Sequence, residues 1–425
     1  MPDEAKPPRP SASMAGLQPT ERTSRPLDDI VVLDLSQFAA GPYATQFLAD
    51  AGARVIKVEI PGTGDAYRRE GPRLPGGAPG EGTFFMRFGR NKDSLAVDIR
   101  SAGGRTVLDR LVKTADVMVE NFKAGSLDRL GFGWPRLQEL NPRLVYATIT
   151  GYGHDDLLPS PLSSWPAFAI TAEAMGGVMS MIGDAGCEPH GSAVSAGDLV
   201  AGVEAALGVM FALHQRDRTG HGQRVDVAMA DAMAALNERS IFSYNLTGEV
   251  PHRGGERQIA PFGAFQTRDG HVAIGVIGTA VWRRFCAAIE RPELADDPDL
   301  ADGLLRARHM EARLRPAIDA WLSGRTKLEA ATILCEAGVP AAPVMDARDV
   351  TESTHFRARQ MLLEFDYPGA GMIHAVGSPI KLGDNLPPLV RRPPMLGEHT
   401  DAVLSELAGL DAGEIAELRR QGAIQ

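Results

Sequence analysis

IVVLDLSQFAAGPYATQFLADAGARVIKVE, Ile30–Glu59, is the stretch that decides the fold. Its first seven residues, Ile30–Ser36, make an apolar run of the length of a buried strand. QFAAGP follows as a glycine-bearing turn, and YATQFLADAGA carries apolar residues at helical spacing. ARVIKVE, Ala53–Glu59, reads as a second strand. Strand, helix and strand in so short a span form a βαβ unit, which implies parallel strands and a right-handed crossover. The pattern then repeats. SLAVDIR (Ser94–Arg100), DVMVENF (Asp116–Phe122) and RLVYATITGYG (Arg143–Gly153) read as three more strands, with SAGGRTVLDRLVKTA as a helix among them. This is a doubly wound α/β domain, and in such folds the ligand lies beyond the carboxyl ends of the strands. Here those ends carry Gln37–Gly41, Glu59–Gly62, Asn121–Gly125 and Gly151–Gly153.

A strand–turn–helix with glycine raises the question of a dinucleotide. Glu59 stands near the end of the second strand, where such sites keep an acid, but QFAAGPYATQ is not GxGxxG, and GxxxxGK[ST] is absent as well. The phosphate turn is missing. Between the second and third strands, Pro61–Gly82 is a glycine- and proline-rich stretch too long for a mere connector, so it reads as a surface or active-site loop.

Further on, GSAVSAGDLVAG, Gly191–Gly202, brings one carboxylate, Asp198, to the start of the apolar run Leu199–Leu213. Leu199, Val203, Ala206, Val209, Met210 and Leu213 recur at helical spacing. Ser195, Ala196 and Gly197 are small enough for backbone or ligand to approach closely. Asp198 then sits at a helix N-terminus, where free N–H groups and the helix dipole favour negative charge. Its plain reading is an N-cap aspartate. Its functional reading is a carboxylate nucleophile beside N–H donors able to hold an oxyanion.

After a charged glycine turn, RVDVAMADAMAALNERSIFSYNLTG reads as a strand running into a helix. AFQTRDGHVAIGVIG, Ala264–Gly278, is a hairpin with its turn at Arg268–Gly270, followed by amphipathic helices around Thr279–Arg291 and Arg306–Ser323. The change from parallel to hairpin patterning marks a second, smaller domain.

Composition narrows the function classes. The chain has 425 residues, 44% of them hydrophobic, enough for a large core and more than one domain. Net charge is −10 and no lysine- or arginine-rich tract occurs, so no nucleic-acid footprint is present. Cys187, Cys286 and Cys335 are odd in number and scattered, which fits a reducing cytoplasm better than a disulfide framework. No CxxC, HExxH or paired histidine spacing suggests a metal site. No stretch approaches the ~20 continuous apolar residues of a membrane span. The first residues, rich in proline and polar side chains, read as a disordered leader.

Several separated pieces now fall into one order: VVLDLSQFAAGPYATQFLADAGARVIKVE, GTGD, FGRNKDSLAVDI, ADVMVENFKAGSLDRLG, LNPRLVYATITGYG, AGDLVAG, TGHGQRVDVAM, APFGAFQTRDGHVAIGV, GVPAAPV and PPMLGEHT. In these the chain resembles the family III (CaiB/BaiF-type) CoA-transferases, from about Leu27 to its end. The resemblance implies a Rossmann-like doubly wound large domain that binds CoA, a smaller α+β domain, and an interlocked ring homodimer. The expected division is a leader at 1–27, outside the resemblance, residues 28–225 as the first part of the large domain, 226–260 as a linker, 261–340 as the small domain marked by the hairpin patterning, and 341–425 as a segment returning to the large one. The resemblance places the family's catalytic aspartate at Asp198. It also assigns CoA contacts to Gln37, Phe38, Ala39 and Ala40 in the first turn, to Ile99 and Arg100 near adenine, to Asn121 and Phe122 along the CoA chain, and to Arg129 at a phosphate, which suits a guanidinium. No tightly bound cofactor is implied. Coenzyme A enters as acyl-CoA substrate, and the partners are an acyl-CoA donor and a carboxylic acid acceptor, with a dicarboxylate among the candidates.

Some positions depart from the family pattern. Ala39 stands where family members often carry a glutamine. Ala169, before AEAMGG, falls where the related racemases place an aspartate for α-proton transfer, and that chemistry needs a titratable group within reach. HDDLLPSP replaces the usual Gly-Pro after GYG, and His154, Asp155 and Asp156 read there as a solvated loop rather than an acceptor pocket. The glycine-rich lid of formyl-CoA transferase has no match. Trp165 and Phe168 suit a larger or partly apolar acid. The alternatives to a transferase are a racemase or epimerase and a non-catalytic acyl-CoA binder.

Overall fold

The computed structural model describes residues 25–73, 82–254, 259–382 and 390–425, so most of the expected leader lies outside the described residues. The chain divides into two compact units. The first runs to Trp165 and takes in Leu199–Ala228 and Leu363–Gln425.

Six strands make the sheet of the first unit: β1 (Val31–Asp34), β2 (Arg54–Glu59), β3 (Lys92–Ala96), β4 (Val117–Glu120), β5 (Val145–Thr150) and β6 (Arg224–Ala228). Their order is β3-β2-β1-β4-β5-β6, and every pairing is parallel. Alternate side chains feed two separate cores. Leu33, Ile56, Leu95, Met118 and Tyr146 pack on one face with Val107, Leu108 and Leu111 of the helix Ala102–Thr114 and with Val403 and Leu404 of the helix Thr400–Ala408. Val32, Val55, Val117 and Val145 pack on the other face with Leu48 and Ala49 of the helix Ala40–Asp50 and with Val209, Ala212 and Leu213 of the helix Ala196–Thr219. Burial on both faces explains why these strands read as continuous apolar runs with little alternation. The expected α/β architecture is present.

The apolar residues of the helix Ala196–Thr219 do not form a single core stripe. Ala206, Val209 and Leu213 are buried, but Val203 and Met210 from the same spacing are exposed, together with Leu207 and Phe211. The helix is apolar on two faces. Among the described residues it is the one helix long and apolar enough to cross a membrane by length and composition, and its inner face belongs to the core just described.

The second unit comprises Pro166–Asp198 and Met229–Leu362. An antiparallel sheet of Phe262–Thr267, Gly270–Gly275 and Ala341–Pro343 packs Phe265, Val272 and Ile274 against Trp282, Phe285, Ile318, Leu322 and Leu334 from three helices. The segment 226–260, expected as a linker, contains the helices Met229–Leu236 and Glu238–Thr247. Ala232 and Met233 of the first are buried, in the stretch read from the sequence as a strand running into a helix.

Candidate active site

The strand order reverses between β1 and β4, which is the switch point where doubly wound sheets bind ligands. Asn121, just past β4, spans this point. Its Oδ1 accepts from the Gln37 N–H (2.7 Å) and its Nδ2 donates to the Gln37 carbonyl (2.7 Å). Phe38 follows with φ 63°, a left-handed conformation unusual for a side-chain-bearing residue. Its N–H donates to Asp65 Oδ1 (3.2 Å) of the GTGD segment.

Beneath this turn lies a group of buried charges. Lys92 Nζ contacts Asp34 Oδ2 (3.0 Å), the Pro42 carbonyl (2.9 Å) and Thr45 Oγ1 (2.8 Å). Lys57 Nζ lies between Asp34 (3.7 Å) and Asp65 (3.4 Å) and donates to the Ser36 carbonyl. Burial opposes ionisation of Asp34, but the two lysines and the Ser36 and Thr45 hydroxyls outweigh it and hold the carboxyl far below its usual range. Glu59 behaves likewise: burial raises it, yet Arg68, bonded at 2.6 and 2.7 Å, keeps it ionised. With Ser94 Oγ and the Asp65 N–H also bonded to it, Glu59 is fully engaged in holding the loop and is not a ribose-binding acid.

A cavity of ≈ 200 Å³ opens over the carboxyl ends of β1 to β4. Gln37, Ile99, Arg100 and Phe122 line it, with Glu59 from the strand ends named in the sequence, and so do Lys57, Gly64, Asp65, Ser126 and Leu130, which sequence reasoning did not assign. The other expected contacts stand elsewhere. Ala39 and Ala40 are buried at the start of the helix Ala40–Asp50. The Phe38 ring is partly exposed and meets Tyr67 edge to face at 5.5 Å. Arg129 is exposed, and its Nη2 donates to Ser126 Oγ (3.0 Å) at the cavity lining. Asn121 acts on the turn through Gln37. Arg100 is exposed and paired with Asp98 (2.8 Å).

Beyond β4 and β5, the expectation of a solvated loop at His154–Asp156 holds for Asp155 and Asp156, which are exposed, and needs correction at His154. His154 is buried, its N–H donates to Asp226 Oδ2 (3.1 Å), and its Nε2 accepts from the Gly125 N–H (3.3 Å). Asp156 contacts His154 Nδ1 and pairs with Arg224 (2.5 Å). The partners Arg224 and Asp226 come from β6, remote in sequence. Close by, Glu120 accepts from the Phe122 N–H (2.6 Å) and the Tyr146 hydroxyl (3.0 Å), and burial pushes its carboxyl up to about 7.

In the second unit, the loop before the long helix is built around a carboxylate that sequence reasoning passed over. Glu173, in the helix Ala169–Met175, is 1% exposed. Its Oε2 accepts from the Ser192 N–H (2.5 Å), and its Oε1 from Ser192 Oγ (2.8 Å) and the Gly197 N–H (3.3 Å). Ser192 Oγ in turn accepts from the Ala196 N–H (2.9 Å), and the Asp198 N–H donates to the Ser195 carbonyl (3.1 Å). Ser195 has φ 55°, so the chain enters the helix through a left-handed residue. Asp198 is half-buried at the third helical position, not at the N-cap. The N–H groups of the first three helical residues are thus already engaged, and the expected oxyanion donors are not available there. Gly197 is required by close approach: a Cβ would lie 2.6 Å from the Ala169 carbonyl oxygen. Ala169 therefore abuts the residue next to Asp198 and brings no titratable group.

Trp165 and Phe168 are both exposed, Trp165 with its ring edge to face with Tyr152 at 6.1 Å. Cys187, Cys286 and Cys335 are free thiols.

The profile of CoA-transferase family III matches residues 27–400. The chain is 40% identical over 394 residues to succinyl-CoA:mesaconate CoA-transferase of Haloarcula marismortui, covering 91% of this chain and 97% of that protein. It is 35% identical to succinyl-CoA–D-citramalate CoA-transferase of Chloroflexus aurantiacus, covering 95% and 100%. A crystal structure of a CaiB/BaiF family protein from Brucella suis superposes with a TM-score of 0.78 at 32% identity, over 90% of this chain and 99% of that one. A doubly wound parallel sheet, a cavity at its switch point and likeness along almost the whole chain agree: the chain belongs to CoA-transferase family III and is an enzyme of that class.

Proposed function

We propose that this enzyme moves CoA from a succinyl-type acyl-CoA to a carboxylic acid, with dicarboxylates as the preferred acids, and that Asp198 is its nucleophile. The Asp198 carboxylate attacks the donor thioester carbonyl, giving an aspartyl–acyl anhydride and CoA thiolate. The thiolate attacks the aspartyl carbonyl, which forms an aspartyl-CoA thioester and releases the donor acid. The acceptor carboxylate then attacks that thioester and expels CoA thiolate from it. Attack of the thiolate on the acceptor carbonyl yields the new acyl-CoA and restores Asp198. Covalent steps divide one hard exchange into easier ones, and a carboxylate ionised at neutral pH needs no general base.

One observation carries this reading. Asp198 stands one turn before Gly202 in an unbroken helix, and Gly202 lies so close to Ala40 that a Cβ would come within 2.7 Å of the Ala40 carbonyl oxygen. Ala40 opens the helix that follows the turn after β1, and Gln37 of that turn lines the cavity. CoA would occupy that cavity, with Gln37, Ile99, Arg100 and Phe122 as contacts and Arg129 at its rim. The acceptor class is taken from the dicarboxylates in the relatives' names.

The interlocked homodimer would cover the outer face of the long helix, where Val203, Leu207, Met210 and Phe211 are exposed at one helical spacing. Free thiols fit a cytoplasmic setting.

The test is a panel of dicarboxylic and monocarboxylic acids offered with succinyl-CoA in D₂O, followed by mass. New CoA thioesters of dicarboxylates without deuterium at Cα support the reading. Deuterium wash-in with no exchange of the acid would overturn it in favour of racemase chemistry.

A further inference from the structure

The clasp made by Glu173 and Ser192 has no part in the steps above. Glu173 is buried, and among the described residues no cation pairs with it. Its charge is met by the Ser192 N–H, the Ser192 hydroxyl and the Gly197 N–H. A buried carboxylate in that setting is strongly held, because each donor would be left unmet if it moved. Its three bonds tie one short helix, Ala169–Met175, to both ends of the loop Ser192–Gly197. The Ser192 hydroxyl donates to Glu173 and accepts from the Ala196 N–H, so it relays the grip into the first helical turn.

We infer that Glu173 is a positioning residue for the transfer reaction: through Ser192 and Gly197 it fixes the left-handed entry at Ser195 and so aims the Asp198 carboxylate. This rests on the reading of Asp198 as nucleophile. The chemistry explains the choice of residue. An amide cannot replace the carboxylate, since all three neighbours donate and one end of a glutamine would donate back at them. A shorter aspartate would not span the same partners. The clasp also occupies the Ala196 and Gly197 N–H groups, so this helix start orients the nucleophile and leaves oxyanion stabilisation to other donors.

The measurement is the donor half-reaction, incorporation of labelled succinate into succinyl-CoA, beside calorimetric titration with CoA. The variants are Glu173→Gln, Ser192→Ala, Ser192→Thr and Asp198→Ala. The expected result is that Glu173→Gln slows exchange about 100-fold and Ser192→Ala about 10-fold, with kcat reduced and KM for succinyl-CoA held. Ser192→Thr, which keeps the hydroxyl, should restore near-normal exchange. All four variants should bind CoA within about twofold of the unmodified protein, since the loop lies outside the cavity lining. Exchange by Glu173→Gln within about threefold of normal, with Asp198→Ala inactive, would overturn the positioning role and leave the nucleophile in place. Loss of CoA binding in both Glu173→Gln and Ser192→Thr would also overturn it, by making the clasp a general structural support. Undiminished exchange by Asp198→Ala would remove the underlying reading itself.

Discussion

At the end of the parallel sheet, Asp34 faces Lys57 and Lys92 and Glu59 faces Arg68, all buried or nearly so. In the loop before the long helix, Glu173 is equally buried but is met only by N–H groups and a hydroxyl. The first arrangement uses full charges to fold an irregular turn over a cavity, and each ion is balanced inside the fold. The second uses small residues and backbone donors to bend the chain sharply. In the proposed reaction the first arrangement shapes the CoA surface, and the second aims the Asp198 carboxylate.

The contrast can be broken at either end. Asp198→Ala should show the largest effect, a loss of transfer of at least ~10³-fold with CoA affinity retained, measured by steady-state kinetics and calorimetry. Lys92→Met leaves Asp34 with Lys57 alone and should cost about 3–5 kcal/mol of unfolding free energy in urea titrations. A loss below ~1 kcal/mol would mean that the network does not hold the turn.

Glu120 sharpens the comparison, since it is a buried carboxylate of the first unit met by Phe122 N–H and the Tyr146 hydroxyl rather than by an ion pair. Burial pushes it up to about 7, helped by Asp128 and opposed by its two hydrogen bonds and by Arg224. The folded protein therefore holds a proton that the unfolded chain has lost. Stability falls as pH rises from the unfolded value toward 7 and is flat above it. Glu120→Gln should remove that slope and gain on the order of a few kcal/mol over the parent at pH 8, read from urea midpoints at pH 5 and 8. The smallest effect is expected from Arg100→Ala. It should raise KM for acyl-CoA about 10-fold, near ~1.4 kcal/mol, with kcat unchanged, because Arg100 is exposed and already shared with Asp98.

Sequence was most informative where burial is two-sided. The runs around Ile30–Ser36 and Arg143–Gly153 could be read as parallel strands because both faces of the sheet are covered. Gln37 and Phe122 stood at strand ends named from the sequence, Ile99 and Arg100 came from the family resemblance, and all four line the cavity. What stayed hidden depends on partners distant in the chain. His154 looks solvated until Asp226 of β6 is placed beside it and Arg224 of β6 pairs with its neighbour Asp156. Glu173 looks like an ordinary helix residue until Ser192 and Gly197 return to it. Ala39 and Ala40 pack inward because they begin a helix whose first turn faces the core. The exposed half of Ala196–Thr219 could not be told from its buried half, since both are apolar.

The most direct test of the account is intact mass and peptide mapping after incubation with succinyl-CoA and trapping by hydroxylamine. The account predicts a single modification on Asp198, formed at a rate that supports turnover and absent from Asp198→Ala. Stoichiometric modification at another carboxylate, or full turnover by Asp198→Ala with no trapped species, would contradict it.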